Sequence, residues 1–336
     1  MTKTASGRIN ARRMPRRGPH RLLLQISLAT LLAASATTTT MASNCSILCP
    51  SPTLASPVAA QTVQLPPIET PASTEHHLGK IVLVELITPN LAGAKNFYAG
   101  LFGWTFRDRQ TGGTDYAEAL LQGRPVAGLV YRPLPANTKR SPAWLAFFSV
   151  GDVDAATQTA RQQGGRVLFG PRTVPDRGRE AVLADPQGAI FAIIASSSGD
   201  PPDFLAEPGE WIWSSLITRD PNMDAGFYQA LFGYDVFTLP AEAGGQHLIL
   251  ASGNYARASA NTVPASRPDM QPHWLNFIRV DDAASAAARA ATLGGRILVE
   301  PRTDPDGNRM AVIADPFGAV LGLLEWRDTE GERRDQ

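Results

Sequence analysis

Few side chains in this 336-residue sequence combine a reactive type with a suggestive position. Glu85 interrupts the apolar run Ile81-Val82-Leu83-Val84-Glu85-Leu86-Ile87. A carboxylate there could act as an acid/base group or accept a hydrogen bond from a ligand amine. A half-exposed carboxylate near a strand end would read the same way, because lone charges are seldom fully buried. His273 and Glu325 bring the donor types of a divalent-metal site or an acid/base pair. Arg172, Arg179, Arg302 and Arg309 could clamp a carboxylate with paired N–H groups, or fix a loop. Trp104, Trp144, Trp211, Trp213, Trp274 and Tyr116 offer flat apolar surface for an aromatic ligand. His247 stands alone, and His76-His77 falls in a stretch without regular pattern.

What must position these groups is a repeat. Phe97-Tyr98 and Leu101-Phe102-Gly103 return as Phe227-Tyr228 and Leu231-Phe232-Gly233, a shift of 130 positions. At the same shift Pro142, Trp144 and Leu145 return as Pro272, Trp274 and Leu275. Gly164-Gly165-Arg166 returns as Gly294-Gly295-Arg296, and Pro171-Arg172-Thr173 as Pro301-Arg302-Thr303. Asp185-Pro186 with Gly188-Ala189 returns as Asp315-Pro316 with Gly318-Ala319. A constant offset over about ninety residues means a duplicated domain. Trp144 and Trp274 are kept in both copies, which favours core packing for them.

Each copy alternates two patterns. Ile81–Ile87 is a β-rich run, and Leu91–Phe102 carries apolar residues at helical spacing up to Gly103. Strands are expected at Trp104–Arg109, Tyr116–Leu121 and Pro125–Tyr131, separated by glycine turns. Then the order recurs: a strand at Trp144–Val150, and a helix from the cap Asp152 to about Gln163. Strands follow near Arg166–Phe169, Glu180–Ala184 and Ala189–Ala195, the last two joined by the turn Asp185-Pro186-Gln187-Gly188.

This sequence resembles the vicinal-oxygen-chelate superfamily of glyoxalase I, extradiol dioxygenases and the fosfomycin- and bleomycin-resistance proteins. The resemblance rests on Phe97-Tyr98 with Leu101 to Trp104, the Gly-Gly pair, and Asp-Pro-x-Gly before the last strand, all in order and twice. It implies an α+β fold of two tandem domains. Each would be two βαβββ modules forming an incompletely closed eight-stranded barrel around a ligand cleft. The domain plan is then 1–36 as signal peptide, with cleavage as late as 60, and 37–78 as disordered linker. The first domain is 79–197, a linker covers 198–209, the second domain is 210–327, and 328–336 is a polar tail.

The resemblance also implies a metal site, with a His or Gln on the first strand of a module and a Glu on the last. Those positions hold Leu83, Trp213, Leu145 and Leu275, then Ala192 and Gly322, none of which is a usual metal donor. No cofactor is expected, a divalent metal at His273 and Glu325 being the alternative. The implied clefts collect Glu85, Trp213, Leu83, Leu145, Leu275, His273, Arg179 and Arg309. Glu85 is the candidate catalytic group, and its counterpart is Ser215.

The first 68 residues hold seven Lys and Arg and no acid, so the remaining 24 basic residues face all 31 acidic ones, a net charge of −7. Such a body lacks the basic surface that nucleic acid needs. A basic stretch to Arg21 and an apolar run from Leu22 to Ala34, with Ala34-Ser35-Ala36 after it, read as an export signal. The protein is therefore expected to be secreted or periplasmic, touching membrane only through that signal or a lipid on Cys45. Cys45 and Cys49 both precede the repeats, so they cannot cross-link them. Four modules in one chain allow a monomer. The expected function is binding of a small aromatic or carboxylate-bearing molecule without the usual metal. The alternative is a lyase, isomerase or dioxygenase using displaced ligands or acid/base groups.

Overall fold

The computed structural model describes residues 65–111, 114–133, 141–240, 245–303 and 308–326. The expected export segment and both cysteines lie outside them. Domain 1 runs β1 (Ile81–Thr88), α1 (Leu91–Phe102), β2 (Thr105–Thr111), β3 (Thr114–Leu121) and β4 (Arg124–Tyr131). It continues through β5 (Ala143–Ser149), α2 (Val153–Gln162), β6 (Arg166–Val174), β7 (Gly178–Ala184) and β8 (Ile190–Ser196). Domain 2 repeats the order: β9 (Trp211–Thr218), α3 (Pro221–Phe232), β10 (Asp235–Leu239), β11 (His247–Ser252) and β12 (Tyr255–Thr262). Then come β13 (His273–Arg279), α4 (Ala283–Thr292), β14 (Arg296–Thr303), β15 (Arg309–Ala314) and β16 (Val320–Glu325). Each domain forms one mixed sheet, β2-β3-β4-β1-β5-β8-β7-β6 and β10-β11-β12-β9-β13-β16-β15-β14, and neither closes into a barrel.

The local signals act as their chemistry predicts. Asn90 caps α1 by accepting the Gly93 N–H, and Gly103 ends the helix at φ 73°, a left-handed turn that glycine adopts without strain. The Asp185 carboxylate accepts the N–H groups of Gln187, Gly188 and Ala189, which locks the turn into β8. β6 outruns its expected end at Phe169, because two register shifts carry it past Pro171 to Val174. An edge strand tolerates such a proline, since its N–H has no ladder to join.

Helices pack on the outer face of each sheet, and there the domains meet. Phe97, Tyr98 and Trp104 share a core with Ile278, Ile313 and Leu323 of the other domain. Phe148, Leu183 and Phe191 share a second with Phe227, Tyr228 and Leu250. Tyr98 donates to Asp315 (3.1 Å) and accepts from the Trp144 indole (3.0 Å). Tyr228 does the same with Asp185 (3.0 Å) and Trp274 (2.9 Å). The residues that repeat most faithfully are therefore the seam of the molecule. Tyr98→Phe strands a buried indole N–H and a buried carboxylate oxygen, and should cost about 1–3 kcal/mol. A denaturant titration with unchanged midpoint would contradict this.

One seam group titrates near neutrality. Asp224 on α3 is fully buried; its Oδ2 accepts from Thr218 (2.5 Å) and Gln187 (2.7 Å), and its Oδ1 has no partner. Burial, then the nearby Asp185 charge, pushes its pKa up to about 7. The native state thus holds a proton that the unfolded chain releases near pH 4. Its contribution is complete below that pH and disappears as pH rises to about 7, at up to about 1.4 kcal/mol per pH unit. Asp224→Asn should accordingly gain stability over the parent at pH 8 more than at pH 4.5. Denaturation at both pH values measures this, and a pH-independent difference would refute the assignment.

Residues 65–78 differ from the disordered linker that composition suggests. They form an arm along domain 1, with Ser73 N–H on Ser198 O (2.8 Å) and His77 N–H on Asp200 Oδ2 (2.7 Å). Asp200 in turn accepts from Ser149 (2.6 Å). Both partners of the arm, Ser198 and Asp200, lie in the connector after the first repeat, too far along the chain for local pattern to reveal.

Candidate functional site

Strand alternation aims one set of side chains at each concave face. In domain 1, called cleft 1, the floor is Val82, Leu83, Leu145, Phe147, Val182, Ala192 and Ile194. Three carboxylates stand on it, Glu85 (5% exposed), Glu118 (4%) and Glu180 (6%). Arg177, from the β6–β7 turn, reaches across to Glu85 Oε1 (2.5 Å) and to the Tyr116 hydroxyl (3.0 Å). It is 1% exposed, so this ion pair is buried as a unit. Gly128 on β4 makes room, because a Cβ there would collide with the Tyr116 hydroxyl and crowd Glu85 Oε1.

The electrostatics follow from that burial. Desolvation and then the Glu85 charge raise the Tyr116 pKa, so its hydroxyl stays protonated. Burial alone would lower the pKa of Arg177, but Glu85 and Tyr116 outweigh it and raise it. Glu180 accepts from Arg172 on one oxygen (2.6 Å), while its buried Oε2 has no partner. Burial, then Glu85, raises its pKa. Cleft 1 thus holds one carboxylate bound to a buried guanidinium and a second biased toward its acid form.

Cleft 2, the concave face of domain 2, carries Trp213, Leu275, Phe277, Met310, Val312 and Leu324, among other apolar groups. Matching registers place Ser215 where cleft 1 has Glu85, Ser259 for Gly128, Ile249 for Glu118 and His247 for Tyr116. Met310 replaces Glu180, and Gly307 stands at the Arg177 position in sequence. Hydroxyl and amide groups link up in cleft 2: the Trp213 indole donates to Ser259 Oγ (3.1 Å), which also receives Asn261 Nδ2 (3.0 Å) and pairs with Ser215 Oγ (2.8 Å). One cleft is charged and bridged; the other is apolar with a short hydroxyl ladder.

The structure brings some of the candidate residues together and separates others. Glu85, Leu83 and Leu145 lie in cleft 1, and Trp213 and Leu275 in cleft 2. Arg179 does not reach a cleft: it pairs with Asp154 of α2 (2.6 Å) on the outer face. Arg309 shares that side, near the α4 cap Asp282. His273 sits at the start of β13 with Nδ1 beside Gln271 O (2.8 Å). Glu325, at the far end of β16, receives the Ala283 N–H. From the β13–β16 register, seven residue steps separate the two, roughly 23 Å, and they face opposite sides. They cannot share a metal or a proton. Trp104, Trp144 and Trp211 meet edge to face in the seam, so they are core and not cleft lining.

The positions that the resemblance implies for metal ligands lie on the two floors, at Leu83, Leu145 and Ala192, and at Trp213, Leu275 and Gly322. Their side chains carry no suitable donor, and any side chain at Gly322 would meet the Phe277 ring. Among the described residues no three His, Cys, Asp or Glu come together as a metal-binding group. The residues present do not fit the metal. Sequence reasoning missed Arg177, Glu118 and Glu180. A signal existed: each is a charge where the second copy is neutral, Gly307, Ile249 and Met310.

Comparison with known proteins gives a consistent answer. A family model described as the Glyoxalase/Bleomycin resistance protein/Dioxygenase superfamily matches residues 76–193 and 212–323. The chain is 32% identical over 257 residues to "Putative glyoxylase CFP32" of Mycobacterium bovis, covering 76% of this chain and 98% of that protein. It is also 32% identical over 267 residues to the anthracycline biosynthesis protein DauV of Streptomyces sp., covering 73% and 92%. Among solved structures, the Mn(II)-bound glyoxalase from Novosphingobium aromaticivorans aligns with TM-score 0.53 at 18% identity, covering 74% of this chain and 82% of that one. A trihydroxybiphenyl dioxygenase from Sphingomonas wittichii aligns at 0.51 and 14%, covering 74% and 91%. These two share the fold.

Proposed function

The chain belongs to the glyoxalase/bleomycin resistance protein/dioxygenase superfamily, and on that premise we propose that it binds a planar aromatic molecule in cleft 2 without a metal. The observation that carries this is the lining of cleft 2. Trp213 and the apolar side chains around it offer stacking surface, and Ser215, Ser259 and Asn261 offer neutral hydrogen-bonding groups. Relatives named for anthracycline biosynthesis favour a fused-ring ligand of that kind. The basic and apolar N-terminus supports work outside the cytoplasm.

The test is the indole N–H spectrum of the protein, which has six tryptophans. Adding anthraquinone-2-sulfonate should move the Trp213 signal and leave those of the seam residues Trp104, Trp144 and Trp211 in place. A Trp213 signal that stays fixed at saturating probe would defeat the proposal. A second reading, acid/base catalysis in cleft 1, is favoured by one feature, the unpartnered Oε2 of Glu180 beside the Glu85 ion pair. Loss of turnover in Glu180→Gln with retained fold would support it over binding alone.

A further inference from the structure

The tip of the N-terminal arm enters cleft 1. Pro66 is buried, and its carbonyl accepts from Arg177 Nε (3.3 Å). Ile68 packs on the same apolar floor as Leu83, Leu145 and Val182. The tip's composition suits the place: Pro66 and Pro67 have no N–H, so the segment brings acceptors to a buried arginine and strands no donor of its own. Its other polar contacts in the cleft go to one hydroxyl, Ser198 Oγ, which takes the Ile68 and Glu69 N–H groups at 3.0 Å each.

The remainder of the arm is held more firmly. Asp200 N–H donates to Glu75 O (2.8 Å), and Lys80 pairs with Asp203 (2.9 Å) and donates to Pro201 O (2.7 Å). Two hydrogen bonds from Arg257, then those of Lys80, hold the Asp203 pKa down to about 2 against its burial, so this anchor stays charged at any ordinary pH. Leu65–Ile68 is therefore a lightly held stretch beside a fixed base. It does not fill the space it enters, because a cavity of about 390 Å³ remains between Leu65, Pro66 and Pro67 on one side and Arg109, Asp176 and Ser197 on the other.

We infer that cleft 1 is a self-occupied binding site, in which Leu65–Ile68 is a tethered stand-in for a small molecule carrying a carbonyl oxygen beside an apolar group. The Pro66 carbonyl marks where the ligand oxygen goes, on Arg177 Nε, and Ile68 marks its apolar part. A competing molecule must supply that acceptor, because withdrawing the tip alone leaves a buried guanidinium N–H without a partner. The ligand's apparent affinity then depends on how often the tip is out. This goes beyond the binding proposed for cleft 2 and does not depend on it.

The test uses the full chain and acetophenone, an aryl ketone, as probe. Amide hydrogen exchange at Ile68 and Glu69 reports the tip, whereas the Trp213 indole reports cleft 2, so failure of one proposal is distinguishable from failure of the other. In the parent both amides should be protected, and acetophenone should speed their exchange. Ser198→Ala removes the one hydroxyl that accepts both N–H groups and should deprotect them while tightening acetophenone binding about tenfold. Ile68→Ser, which weakens the tip from its own side, should act in the same direction and guards against a folding defect in the first variant. Free exchange at 68 and 69 in the parent would overturn the inference. So would an acetophenone affinity that does not rise in either variant.

Discussion

Replacing Arg177 with alanine should destabilise the protein by about 3–5 kcal/mol, the loss expected when one partner of a buried ion pair is removed. Arg177 has neither solvent nor redundancy to fall back on: it is 1% exposed and holds Glu85 and Tyr116 at 2.5 and 3.0 Å. Its removal leaves the Glu85 carboxylate beside Glu180 in an apolar basin, where it must take up a proton or draw in water. The double variant Arg177→Met with Glu85→Leu should be much less damaged than the sum of the single changes, because no unpaired charge remains. Urea titrations of the parent, Arg177→Met, Glu85→Leu and the double variant decide the matter. Additive single effects would mean that the arginine acts through packing alone.

The second large effect concerns binding. Trp213→Ala should weaken a planar aromatic ligand by about 1.4–2 kcal/mol, roughly 10- to 30-fold in Kd. The indole supplies stacking surface, and its Nε1 holds Ser259 in place at 3.1 Å. Arg179→Ala, on the outer face of the other domain with its partner Asp154, should leave the affinity unchanged. Equal losses in both variants, measured by titration calorimetry, would show that the ligand does not sit in cleft 2.

The sequence exposed the fold for a specific reason. Duplication preserves whatever the seam requires, so Tyr98 and Tyr228, Asp185 and Asp315, and Trp144 and Trp274 stand out at one offset. The site is written in the opposite way. Glu85, Arg177 and Glu180 matter because they lack counterparts, and they meet only when the sheet curls. Alternation placed Leu83 and Glu85 on one face, as the structure has them. The same logic, applied to His273 and Glu325 without the register of β13 on β16, could not show that the strands carry them to opposite ends. Arg179 was equally ambiguous, since only its bond to α2 separates the outer face from the inner. The arm escaped notice because Pro66 and Ile68 find their partners more than a hundred residues away.

Metal-free binding of the aromatic ligand in cleft 2 is measured by titrating anthraquinone-2-sulfonate into the protein before and after exhaustive chelation. The same Kd is expected in both titrations, within about a factor of two, with the same Trp213 perturbation. Binding that disappears on chelation and returns with one equivalent of a divalent ion would contradict it.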